Sequence, residues 1–147
     1  MMKLWMTWSI VLLTSLLPAS LMAGDETPTT AQVTITPPID QLRLSEAVIC
    51  ETLEAFSPLN PSVVFSVTAG SVMCFTAFDH VPEQTSIFHD WIRQDKLVFR
   101  KKLVLKTPRW SSVSSIQLRE ADKGPWRVEI RDADGNYLHI LRFSITD

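Results

Sequence analysis

The chain has 147 residues, 46% hydrophobic and 20% charged, which describes one ordinary globular domain and excludes a wholly disordered chain. A net charge of −2, with no basic run interleaved with aromatics, argues against a nucleic-acid surface. The charge is uneven, however: Gly24 to Ile92 carries nine acids and one base (−8), while Arg93 to Asp147 carries twelve bases and seven acids (+5). Either acidic and basic strands neighbour and screen one another, or the fold presents a basic face to an anionic polymer or partner.

Residues 1–23 read as a secretory signal peptide. Lys3 gives a short positive start, Leu4 to Leu17 is apolar, Pro18 breaks the run, and Ala23-Gly24 offers a small-residue cleavage junction. The apolar stretch is shorter than the roughly 20 residues that span a bilayer. The expected product is therefore periplasmic or extracellular, with no integral membrane segment in the mature chain; an uncleaved anchor is the alternative. Residues 24–43 are rich in Thr and Pro, and Pro37-Pro38 forbids helix, so this stretch reads as a linker.

The folded domain is expected over residues 44–147. Ala47 to Leu53 contains a first apolar run, Ser57 to Pro61 reads as a turn, and Val63 to Thr68 and Val72 to Phe78 read as strands. Thr85 to Arg93 alternates, with Ile87, His89 and Trp91 on one face. Leu97 to Leu105 also alternates, but Lys101 interrupts its apolar face, which predicts a bulge or a sheet edge. Ser112 to Arg119, Trp126 to Ile130 and Tyr137 to Ile145 complete the pattern, with Asp132 to Asn136 as a hairpin loop. About seven short strands and no helix predict an all-β, immunoglobulin-like antiparallel sandwich; a small β-barrel is the alternative. In an exported protein the two cysteines, Cys50 and Cys74, predict a disulfide worth about 3.5 kcal/mol by the chain-entropy argument, with buried free thiols as the alternative.

Val48-Ile49-Cys50, Cys74-Phe75-Thr76, His89-Asp90-Trp91, Pro108-Arg109-Trp110 with Ser114-Ser115, and Gly124 to Val128 leading into Asp134-Gly135 together resemble the bacterial family known as domain of unknown function 2914. The resemblance runs from about Ala47 to Ile145. It implies a β-domain behind an export signal or membrane segment and no established activity. The chain departs from the family pattern at Ser111, where a second Arg is usual, at Ile116, where Lys is usual, and in the loop Asp79 to Glu83, where a Gly is common.

No catalytic or metal motif is present. His80, His89 and His139 lack the spacing of a compact metal site, no G-x-S-x-G elbow occurs, and no cofactor is expected. Asp132, Asp134 and Asn136 sit in a turn without the Glu of a calcium loop. The expectation is a non-catalytic interaction module that binds an envelope protein. A carbohydrate- or peptidoglycan-binding domain is the second reading and a hydrolase the third. The candidate binding residues are Arg109 and Trp110, a guanidinium beside an aromatic ring, the basic strand positions Arg100 and Lys102, and His89. Trp91 and Trp126 are expected in the core, with His89 near a serine hydroxyl.

Overall fold

A computed structural model describes residues 40–147. The signal peptide expected over residues 1–23, and the linker as far as residue 39, lie outside the described residues. The strands are β1 (Arg43–Cys50), β2 (Thr52–Glu54), β3 (Ser57–Leu59), β4 (Val64–Ser66), β5 (Ser71–His80), β6 (Thr85–Arg93), β7 (Lys96–Leu105), β8 (Trp110–Gln117), β9 (Gly124–Arg131) and β10 (Tyr137–Thr146). Two single 3-10 turns, Val67–Ala69 and Glu120–Asp122, are the helical elements among them.

These strands make a β-sandwich. One sheet has the order β1-β5-β8, the other β4-β10-β9-β6-β7, and the two do not close into a barrel. All pairs are antiparallel except β4 with β10, which is parallel. The small hairpin β2-β3 follows β1 directly. Sequence reading placed a turn at Ser57 to Pro61; here Ser57–Leu59 is a strand, and the turn lies one step earlier at Ala55-Phe56.

Alternation puts one face of each sheet inward. Ile49, Val72, Cys74 and Phe78 from one sheet meet Ile87, Trp91, Val128 and Ile145 from the other. Phe143 on β10 sits amid the large rings. Phe65 and Trp91 approach it edge-on at 6.0 Å, and Trp126 stacks on it at 6.3 Å. Edge-on and offset contacts match positive ring edges to negative faces, so this cluster fixes how the rings pack as well as burying them.

The expected Cys50–Cys74 disulfide is absent: both residues are buried free thiols. The reason is register. Cys50 lies opposite Met73, and Cys74 lies opposite Ile49. Residues directly opposite share a face and chain neighbours do not, so the two cysteines face opposite sides of the same strand pair. Cys74 joins the core between the sheets, whereas Cys50 lies on the outer face. Their side-chain directions diverge, and a bridge would need the backbone to move. Burial pushes the Cys74 thiol above its ordinary range and also raises Cys50. Protein unfolded without reductant in the presence of iodoacetamide is expected to take up two adducts by mass spectrometry; a species with none would restore the bridge.

Candidate functional site

The two cysteine-bearing strands lead to a groove at one end of the sandwich. The groove has a volume of about 440 Å³ and is lined by Ser45, Phe56, Asp79, Arg109, Trp110 and Ser111, with Phe78 at its base. Ser45 is the extra residue of a bulge in β1, where Leu44 and Glu46 pair with the consecutive residues Phe78 and Ala77. Its hydroxyl donates to the Ala77 carbonyl at 3.0 Å. Trp110 starts β8 opposite Phe78 and remains 37% exposed. The cation over its ring is Lys106, 5.3 Å from the centroid, and not the adjacent Arg109. Asp79 accepts from Arg43 Nε at 2.7 Å. That hydrogen bond holds the Asp79 carboxyl below the usual carboxylate range. Sequence reading supplied Arg109 and Trp110; it missed Phe56 and Asp79, which join them only through strand pairing.

Arg100 and Lys102 lie on β7, the edge strand of the five-stranded sheet. Nearly the whole strand is exposed, including Leu97, Val98, Phe99 and Val104. The predicted edge is therefore present, and the bulge falls at Val98 rather than Lys101, because Trp91 pairs with Phe99 and Ile92 with Leu97. Arg100 is committed to its neighbour: its Nε and Nη2 donate to both carboxylate oxygens of Asp90 at 2.6 Å. Lys101 and Lys102 are exposed, and neither forms an ion pair among the described residues.

Asp90 belongs to a row of charges on the outer face of this sheet. It is buried and directly opposite the buried Glu129. Arg131 reaches both, at 3.4 Å from Asp90 and 2.6 Å from Glu129, and Arg127 donates to Glu129 at 2.9 Å. Burial opposes ionisation of Glu129, but the hydrogen bonds from Arg127 and Arg131 outweigh it, and its carboxyl sits below the ordinary value.

His89 is not a surface residue. It is fully buried (0% exposed) between the sheets, so the ligand-contacting role considered for it is not available. The expected serine partner is Ser114, whose hydroxyl lies 2.9 Å from Nδ1. Trp91 Nε1 donates to the same hydroxyl at 3.0 Å. On the other side Nε2 lies 3.3 Å from the Thr76 hydroxyl, which donates to the Ser112 carbonyl at 3.4 Å. The Ser112 carbonyl can only accept, so Thr76 gives its proton there and must accept from Nε2–H, and a neutral ring then leaves Nδ1 to accept from Ser114. Ser114 accepts from Trp91 and donates to Nδ1; Nε2–H donates to Thr76. His89 is thereby assigned as the neutral Nε2–H tautomer. A Ser–His pair at this distance is half of a nucleophilic site, but its second nitrogen meets a hydroxyl instead of an orienting carboxylate and the pair is sealed between sheets.

Elsewhere, the Asp132 carboxylate is occupied by the backbone N–H groups of Asp134 and Asn136 at 3.0 and 2.8 Å, as a turn requires. Among the described residues, no group of three or more His, Cys, Asp and Glu side chains is placed to hold a metal ion, and no helix is long and apolar enough to cross a membrane.

The fold is thus a two-sheet β-sandwich bearing an aromatic groove and a basic, exposed edge. Residues 84–145 match the family described as "Protein of unknown function (DUF2914)", and the chain resembles that family over β6 to β10. Arg109 and Trp110 lie inside the matched stretch; Phe56, Asp79 and both cysteines lie before it. No curated protein matches the chain.

Burial pushes the His89 imidazole down from 6.5 to about 4, against the opposing pull of Asp90. As pH falls, the unfolded chain therefore takes up this proton first. The stabilisation is complete above pH 6.5 and is lost between about 6.5 and 4, amounting to about 3 kcal/mol. Urea unfolding across this pH range is expected to show that slope, and His89→Gln is expected to flatten it while lowering stability at pH 7. An unchanged slope in the variant would overturn the assignment to His89.

Proposed function

We propose that this is a non-catalytic, exported interaction module that takes an acidic, extended segment of an envelope protein along β7. The observation that carries the reading is the state of that strand: ten residues long, at a sheet edge, exposed along nearly all its length, and apolar and cationic together. An edge strand offers unpaired backbone N–H and C=O groups to an added strand. The Val98 bulge ends the regular ladder, so pairing would run along Phe99 to Leu105. Within that run Lys101 and Lys102 point to opposite faces and are both free to meet carboxylates. A second copy of the chain suits the edge poorly, because antiparallel self-pairing would set Arg100, Lys101 and Lys102 against one another. The signal read in residues 1–23 supports an envelope location.

An acetylated peptide with the core Thr-Val-Glu-Glu-Val-Thr, titrated into the ¹⁵N-labelled full chain, is expected to shift the β7 amides. Lys101→Glu with Lys102→Glu should weaken the effect about tenfold, and added salt should weaken it too. Shifts confined to other strands, or an equal response to a peptide with Lys-Lys at the centre, would overturn the reading. For export, N-terminal sequencing of the protein recovered from cells is expected to begin at Gly24; a start at Met1 would count against cleavage.

A further inference from the structure

We infer that the groove between Phe56 and Trp110 is a saccharide site, built for a sugar ring that carries a carboxylate. This goes beyond the β7 reading and involves different strands.

The first argument is the turn that presents Phe56. Glu54 pairs with Ser57, leaving Ala55 and Phe56 as a two-residue hairpin turn. Both are in the left-handed region, with φ of 47° and 62°. Such turns favour Asn and Gly, and a bulky residue there is strained. Core burial does not offset the strain, because Phe56 is 61% exposed. Neither turn propensity nor packing accounts for an aromatic at this position. What the conformation achieves is to set a phenyl ring on the rim of the groove that also holds the exposed Trp110.

The second argument is the polar complement. Exposed aromatic faces receive the apolar face of a sugar ring, while hydroxyl groups need donors and acceptors around it. Asp79, Ser45 and Ser111 supply these in the same groove. Its volume of about 440 Å³ falls within the range of small-ligand sites.

The third argument is charge. Asp79 is the one carboxylate lining the groove; Arg43 pairs with it, Lys106 stands over the Trp110 ring, and Arg109 lines the same groove. Arg43 is taken up by Asp79 and Lys106 lies over the indole, whereas Arg109 makes no ion pair or side-chain hydrogen bond among the described residues. An exposed guanidinium lining the same groove as two aromatic rings matches a carboxylate on a ring substituent, which it can hold in a bidentate pair.

The test is an NMR titration of the full chain with three probes: tetragalacturonate, the neutral maltotetraose, and tetraglutamate, which has carboxylates but no sugar. Tetragalacturonate is expected to shift the Trp110 indole and the Ser45 and Ser111 amides, with the other two at least tenfold weaker. Arg109→Gln should weaken tetragalacturonate about tenfold. Phe56→Gly should do the same while leaving Tm within a few degrees of the parent, since that residue is mostly exposed and its turn becomes relaxed. No response to tetragalacturonate overturns the inference. So does equal binding of tetraglutamate, which would mean that the groove reads charge alone, or of maltotetraose, which would remove the carboxylate from the recognition. Undiminished binding by Phe56→Gly would show that the strained ring is not a platform.

Discussion

Two sheets can slide over one another unless something fixes their relative position, and here the fixed point is His89. Its ring stands on β6, in the five-stranded sheet, and is hydrogen-bonded to Ser114 on β8 and Thr76 on β5, both in the three-stranded sheet. An apolar contact tolerates a shift of an ångström; a relay in which each hydroxyl must accept on one side and donate on the other does not. Trp91 enters the same relay through its indole nitrogen and carries the aromatic cluster around Phe143 with it. The depressed basicity of His89 follows from the same burial that makes the joint rigid.

Aligning the sheets in this way also separates their charges. The uneven charge along the sequence becomes a difference between layers. The five-stranded sheet carries Arg93, Lys96, Arg100, Lys101, Lys102, Arg127, Arg131 and Arg142 against Asp90 and Glu129, whereas β1, β5 and β8 hold Arg43, Glu46 and Asp79. Asp90 and Glu129 would repel as direct cross-strand neighbours; the arginines between and beside them turn that repulsion into a row of paired ions. Of the two arrangements open to the sequence, screening governs the middle of the sheet, and an unscreened basic surface survives at its β7 edge.

Strands β6, β7 and β9 were legible because each alternates along its length, whereas β1 begins at Arg43, inside the stretch read as linker, and β8 at Trp110, two residues before its expected start. Thr85–Arg93 was bounded correctly, and the interruption at Lys101 did signal the edge. The β2-β3 hairpin was not legible: its strands are three residues each, too short for a period, and Pro58 and the neighbouring serine read as turn chemistry. The cysteine error has a related cause. Spacing along the chain shows that two residues can approach, but the face each occupies depends on pairing register, which a bulge at Ser45 and a turn after Cys50 do not announce. The groove was half visible. Arg109-Trp110 is a local motif, while Phe56 and Asp79 carry no local mark until the hairpin and β5 bring them alongside it.

The opposed cysteines have a consequence for where this fold can exist. A sandwich stapled by a disulfide would be tied to compartments that can make and keep one. This one is held by rings, paired ions and a hydroxyl relay, with both sulfur atoms sealed from solvent on different sides of a sheet. Its core packing and sheet register do not rely on a Cys50–Cys74 bond. With the two thiols on opposite faces, reaching this fold takes no oxidant, isomerase or pairing step.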